Sequence, residues 1–145
     1  YLQQARERIS SQVGTIVGAS ALYETAAWGK TDQPSFLNQV LETATTLSPE
    51  QVLQTINQIE HELGRERLVH WGARVIDIDI LFYDNLVQQT QRLTIPHPQL
   101  HLRRFTLLPL HQLAPNLIHP VLRQTISQLL EHCPDVLEVS MYSAD

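Results

Sequence analysis

The 145 residues are enough for one domain with a core, and 43 % of them are hydrophobic, an ordinary share for a soluble globular protein. A net charge of −5 and a pI near 5.7 argue against a general nucleic-acid binder, which carries a basic face. One cysteine, Cys133, excludes an internal disulfide and makes the cytoplasm the default compartment, and no apolar run is long enough to span a bilayer. No signal peptide, internal repeat or low-complexity tract is visible, so a single domain over residues 1–145 is expected.

Leu2, Ala5, Ile9 and Val13 recur at helical spacing until Gly14, so the chain starts inside an amphipathic helix. Val17, Ala19, Ala21 and Tyr23 alternate as a strand. A loop from about Glu24 to Pro34, with Gly29 and two polar clusters, has the character of a lid. Phe36 to Thr45 reads as a second strand. Ser48-Pro49-Glu50-Gln51 combines a capping serine, proline at the first helical position and a glutamine reaching back. Leu53, Ile56, Ile59 and Leu63 give that helix its buried stripe before Gly64 ends it.

From Ile76 to Phe82 the isoleucines and the phenylalanine fall on even positions and the aspartates on odd ones, the alternation of a strand with one buried face. Asp77 and Asp79 then point the same way, roughly 7 Å apart at their Cα atoms, near enough to converge on one Mg²⁺ or to bridge a pair. Acidic residues are also common on the wet face of a strand, so the pair alone leaves both readings open. Arg65, Arg67, Arg74, Arg92, Arg103 and Arg104 surround it in sequence and are six of the ten basic residues. Guanidinium forks bind phosphate oxygens bidentately, so arginines flanking a carboxylate pair suggest a polyphosphate held between protein cations and bound metal.

Asp84-Asn85 is a turn, and Val87 with Leu93 to Ile95 suggests one or two short strands closed by Pro96. Leu100 to Leu110 reads as an apolar helix interrupted by Pro109, and Ala114 to Pro120 as a loop. A last helix runs from about Thr125 to His132, followed by a terminal strand at Val136 to Val139. Strands and helices mix without strict alternation, which predicts an α+β fold: a mainly antiparallel sheet with helices packed on it.

Several segments together resemble the 6-hydroxymethyl-7,8-dihydropterin pyrophosphokinase family: Phe36-Leu37-Asn38; Glu60 with Leu63-Gly64-Arg65-Glu66-Arg67; Trp71-Gly72-Ala73-Arg74; Ile76-Asp77-Ile78-Asp79-Ile80-Leu81; Leu93-Thr94-Ile95-Pro96-His97; and Arg104-Phe105 with Leu108-Pro109-Leu110 and Ala114-Pro115. The resemblance implies a ferredoxin-like α/β sandwich that moves the terminal diphosphate of ATP onto a pterin alcohol in folate biosynthesis. It implies that Asp77 and Asp79 bind two Mg²⁺ ions bridging ATP and the pterin hydroxyl. Asn38 would hydrogen-bond the pterin, Phe36 and Phe105 would sandwich it, and backbone groups near Thr25 and Ala27 would complete its polar contacts. Arg65, Arg74 and His97 would hold phosphates, with Arg67 and Trp71 on a loop, residues 66–73, that closes over them. Leu53, Ile80, Arg92 and Thr94 match the adenosine pocket, Arg103 would lie near the reacting groups, and Glu60 would serve the nucleotide side by orienting arginines.

Each assignment has a plainer rival: a solvated strand face for the aspartates, core packing for Phe36, Phe105 and Trp71. His97 and His101, four apart, could also be read as metal ligands, but Pro98 opposes a regular helix between them. The family begins with a strand and a Gly-Ser-Asn-Leu turn that this sequence lacks, so the natural polypeptide is expected to be longer. Ala73 stands where proline is usual, His70 where arginine is common, and Gln112 where glutamate is usual. Two other classes compete: a nucleotide-sugar transferase with a D-x-D metal site, which usually needs a larger domain, and a non-catalytic relative that binds through the same surface.

Overall fold

Helix α1 (Leu2–Gln12) lays Ala5 into a first hydrophobic cluster, joined by Val13 just beyond its end and with Ile9 beside them, the i, i+4, i+8 spacing expected of one helix face. The computed structural model describes residues 1–25, 36–65 and 76–142, Arg65 by its main chain alone. In chain order there follow β1 (Thr15–Ala19), β2 (Tyr23–Thr25), β3 (Phe36–Asn38), β4 (Leu41–Ala44), α2 (Pro49–Arg65), β5 (Gln88–Gln89), β6 (Thr94–Ile95), α3 (Arg104–Leu113), α4 (Ile126–Glu131) and β7 (Val139–Met141). The architecture is α+β, and every ladder among the described residues is antiparallel.

The ladders form three small groups rather than one sheet. β1 pairs with β4, β2 is central between β3 and β7, and β5 pairs with β6. Both of the long strands expected at Val17–Tyr23 and Phe36–Thr45 are therefore cut in two, and Ser20 explains the cut. Its backbone N–H donates to the Val40 carbonyl at 2.9 Å, its Oγ accepts from Val40 N at 3.0 Å, and its carbonyl accepts from Gln39 Nε2 at 2.7 Å. These bonds absorb the main-chain groups where both chains leave one ladder for the other. At Gly14 the chains approach so closely that a Cβ would lie 2.0 Å from the Ala44 carbonyl oxygen, which restricts the position to glycine.

The start of α2 is the capping box the sequence predicts: Ser48 Oγ accepts from Gln51 N at 3.2 Å and Gln51 Oε1 from Ser48 N at 2.8 Å. Val52, Ile56, Ile59 and Leu63 bury one face of the helix in the first cluster, while Leu53 is only half-buried and the helix runs one residue past Gly64. An ion pair between Arg8 Nη1 and Glu62 Oε1, 2.9 Å, ties α2 to α1.

A second cluster joins Leu100, Leu107, Leu110, Ile126 and Leu129. Here α3 continues through Pro109, contrary to the expected interruption. Proline denies the Phe105 carbonyl a helical donor, but its ring is fully buried in the same helix as Leu107 and Leu110, and that burial offsets the lost bond. The terminal strand begins at Val139, not Val136, because the Asp135 carboxylate accepts from Arg104 N at 3.0 Å and from Leu137 N at 2.9 Å, holding the approach in a turn.

The expected strand at Ile76–Phe82 needs the largest correction. Burial alternates from 76 to 80 as the period-2 pattern requires, yet residues 76–83 belong to no strand. A strand needs a neighbour for its amides, and among the described residues no ladder partner lies alongside. No helix of the described residues is long and apolar enough to cross a membrane.

Candidate active site

Ile76, Ile78 and Ile80 turn into the first cluster, which leaves Asp77 and Asp79 exposed on the other side of the same segment. Among the described residues, two main-chain hydrogen bonds anchor it. Ile78 N donates to Glu60 Oε2 on α2 at 2.7 Å, and the Leu81 carbonyl accepts from His97 N at 2.9 Å. Glu60, expected to orient arginines, also holds the amide between the two aspartates through its carboxylate.

His97 also brings its imidazole to the pair, with Nε2 3.9 Å from Asp79 Oδ2. Its Nδ1 accepts from Gln99 N at 3.2 Å, which leaves Nε2 to carry the proton of the neutral ring and face the carboxylate. Burial above all holds His97 below its usual pKa; Asp79 opposes this and Arg103 adds to it. Hard carboxylate oxygens that remain accessible to solvent suit Mg²⁺, which typically takes one or two protein carboxylates and completes its shell from phosphates and water. Among the described residues no group of three or more His, Cys, Asp or Glu could hold a metal ion.

A second set of residues lies around β2 and β3. The register sets Thr25 opposite Phe36 and Tyr23 opposite Asn38, so all four share one face. That face looks onto α3: Tyr23 Oη donates to Gln112 Oε1 at 2.9 Å, and Phe36 meets Phe105. Thr25 Oγ1 and Asn38 Nδ2 are buried there without a hydrogen-bond partner. Buried polar atoms rarely stay unpaired in native proteins, and a pair of them beside two aromatic rings points to a polar, flat ligand.

Without ligand the two rings meet edge to face. Their centroids are 5.8 Å apart at an interplanar angle of 83°, whereas rings stacked on both sides of a pterin would lie near parallel and roughly 7 Å apart, two contact distances. One ring must swing aside for a flat ligand to enter. Arg103 adjoins this set, with its guanidinium carbon 5.6 Å from the Phe105 centroid and a hydrogen bond to Gln99 Oε1. Its charge also acts on His97.

Of the remaining expected residues, Ile80 and Thr94 are half-buried and Arg92 is exposed in the turn between β5 and β6. Gln88 Nε2 donates to Glu50 Oε1 at 3.0 Å, which ties that hairpin to the start of the helix bearing Leu53. The Arg65 side chain, Arg67, Trp71, Arg74 and Ala27, with the closing loop, lie outside the described residues; of the expected lid, Glu24 and Thr25 belong to β2 and residues 26–34 lie outside the described residues. Gln112 and Asp135 support the site without having been assigned to it. Gln112 Oε1 takes Ala21 N at 3.0 Å as well as Tyr23 Oη, two bonds that a glutamate would accept equally. Asp135 sits 31 positions from its partner Arg104, beyond any local sequence signal.

A family model described as 7,8-dihydro-6-hydroxymethylpterin-pyrophosphokinase matches residues 1–115. A protein of Aquifex aeolicus named 2-amino-4-hydroxy-6-hydroxymethyldihydropteridine pyrophosphokinase is 41 % identical over 128 residues, covering 88 % of this chain and 79 % of the relative. A Haemophilus influenzae protein of the same name is 38 % identical over 135 residues, 90 % of this chain and 84 % of its own. The folic acid synthesis protein fol1 of Schizosaccharomyces pombe is 41 % identical over 119 residues, which are 82 % of this chain and 16 % of that much longer relative.

Proposed function

This chain belongs to the 7,8-dihydro-6-hydroxymethylpterin-pyrophosphokinase family, and from that premise we infer how its own residues carry the family's reaction. The terminal diphosphate of ATP passes to the hydroxymethyl oxygen of 6-hydroxymethyl-7,8-dihydropterin. The bond from the α-phosphate bridging oxygen to the β-phosphorus breaks, a bond from the pterin oxygen to that phosphorus forms, and AMP and a proton leave. Such a transfer relies on positioning and charge stabilisation more than on covalent chemistry by the protein.

Asp77 and Asp79 would serve as cation ligands rather than as bases, since their exposed, hard carboxylate oxygens suit Mg²⁺. Mg²⁺ held there, two ions by the family resemblance, would neutralise phosphate charge and favour ionisation of the pterin hydroxyl. His97, as the neutral imidazole, offers its Nε2 proton to phosphate oxygen, and Arg65, Arg74 and Arg103 offer guanidinium donors along the transferring group. Arg67 and Trp71 close over the nucleotide, whose adenosine lies against Leu53, Ile80, Arg92 and Thr94. The pterin enters between Phe36 and Phe105 once their edge-to-face contact opens, and Asn38, Thr25 and the backbone near Ala27 satisfy its polar edge. These small molecules are the partners, and the cytoplasm is the compartment.

The observation that carries this reading is the coincidence of two orphaned polar atoms, Thr25 Oγ1 and Asn38 Nδ2, with the aromatic pair. A coupled assay for AMP tests it. AMP should accumulate only when ATP, Mg²⁺ and hydroxymethyldihydropterin are all present. Release of a nucleoside diphosphate, or AMP formation indifferent to the pterin, would overturn it.

A further inference from the structure

We propose that Glu60 is the positioning residue of the carboxylate pair: by accepting from Ile78 N it sets the direction in which Asp77 and Asp79 both leave the chain. The proposal rests on the function inferred above, because it concerns how the cation-holding pair of that site is kept in shape.

The argument starts from α2. Its buried stripe, Val52, Ile56, Ile59 and Leu63, locks the helix into the first cluster, and the capping box and the Arg8–Glu62 ion pair fix its start and its outer face. Glu60 follows Ile59 and stands one turn beyond Ile56, so it lies on the flank of the buried stripe and is itself half-buried. A carboxylate mounted there moves little. Its Oε2 meets Ile78 N at 2.7 Å, the length of a charge-assisted bond.

Ile78 is thus held twice, by its side chain in the cluster and by its amide on α2. The peptide unit is planar, so fixing the Ile78 amide fixes the last torsion of Asp77 and the first of Ile78. In extended chain these torsions determine the common side to which residues 77 and 79 point. Within a sheet a neighbouring strand would do this; residues 76–83 belong to no strand, and the helix-borne carboxylate takes that place. Groups that orient the ligands of a cation are typically worth about 10–100-fold in its affinity or in activity. Glu60 touches neither phosphate nor cation in this scheme.

The test uses the whole chain with Glu60→Ala and Glu60→Gln. Three readouts are compared with wild type: the Ile78 amide proton by ¹⁵N-resolved NMR without ligand, Mn²⁺ binding by electron paramagnetic resonance with a non-hydrolysable ATP analogue, and kcat and KM across a Mg²⁺ titration. In Glu60→Ala the Ile78 amide should move upfield and exchange faster. Mn²⁺ should bind about tenfold more weakly or worse, with the pterin KM unchanged. Glu60→Gln keeps a carbonyl acceptor but loses the charge, so it should bind Mn²⁺ more tightly than Glu60→Ala yet measurably more weakly than wild type, with the amide shifted. Should Glu60→Ala fail to fold, Glu60→Gln decides alone: a shifted amide with measurably weaker Mn²⁺ binding supports the proposal, and wild-type behaviour in both refutes it. An amide that moves while divalent-ion binding stays at the wild-type level makes the bond merely structural and also refutes it. If wild type itself forms no AMP, the functional reading fails, and the NMR and Mn²⁺ readouts still decide the role of Glu60.

Discussion

Replacing Thr25 by valine should move two measurements in opposite directions. Thr25 lies in the central strand β2 with ladder partners on both sides, Phe36 and Val139, and its side chain is fully buried. Its backbone bonds are untouched by the change, and valine fits the same space with a methyl group in place of the hydroxyl. That hydroxyl has no partner in the ligand-free protein, a state that costs about 1–3 kcal/mol. Removing it should raise stability by that amount, or raise Tm by about 3–9 °C at the roughly 3 °C per kcal/mol expected for a chain of this size. In the proposed complex the same hydroxyl would pair with the pterin, so the variant would leave a ligand group unsatisfied and should weaken pterin binding roughly 5- to 150-fold. Differential scanning calorimetry without ligand and calorimetric titration with pterin measure the two effects. A Tm at or below wild type together with unaltered pterin affinity would refute the reasoning, because Thr25 Oγ1 would then be neither orphaned nor used.

Asp79→Asn should keep the fold, since the side chain is exposed, yet lower kcat by at least about a hundredfold, roughly 2.7 kcal/mol on the barrier; near-normal turnover at low Mg²⁺ would exclude Asp79 as an essential ligand. Stability should fall on acidification because His119, whose Nδ1 accepts from Val121 N and Leu122 N, is held below its usual pKa, by burial first and His101 second. The unfolded chain takes up that proton first, so the contribution is whole above about pH 6.5 and declines as pH falls towards the lowered folded value. Urea midpoints between pH 7.5 and 5.5 should show this slope, and His119→Asn should flatten it; an equally steep slope in the variant would reject the assignment. Asp135→Ala removes the acceptor for Arg104 N and Leu137 N and should cost about 1 kcal/mol in denaturant unfolding, the usual worth of a helix cap; no loss would mean that the start of α3 is secured by other groups.

What was legible in the sequence was whatever repeats at a local period or sits at a local terminus. The stripe of α1, the Ser48–Gln51 capping box and the outward pairing of Asp77 with Asp79 all follow from residues within a turn or two of one another. The parts that were misread depend on chain segments far apart. No local pattern reveals that Ser20 will sit against Val40, or that Asp135 will reach Arg104 and delay the last strand to Val139. Pro109 looked like a break because propensity argues for one, and burial in the second cluster overrode it. Motif order brought Phe36 and Phe105 to one place, but the angle between their rings comes from packing, which motif order does not encode.

The stretch that carries the aspartates is also where the two hydrophobic clusters meet. Ile76, Ile78, Ile80 and Tyr83 belong to the first, and the adjacent Leu81 and Phe82 to the second. Proteins open in cooperative parts before they unfold as a whole, and here an opening of either part drags on the same few residues. Turnover therefore acts as a tripwire for the weaker half. On heating or in mild denaturant the enzyme should fall silent when the first half loosens, while the other still gives its native signal.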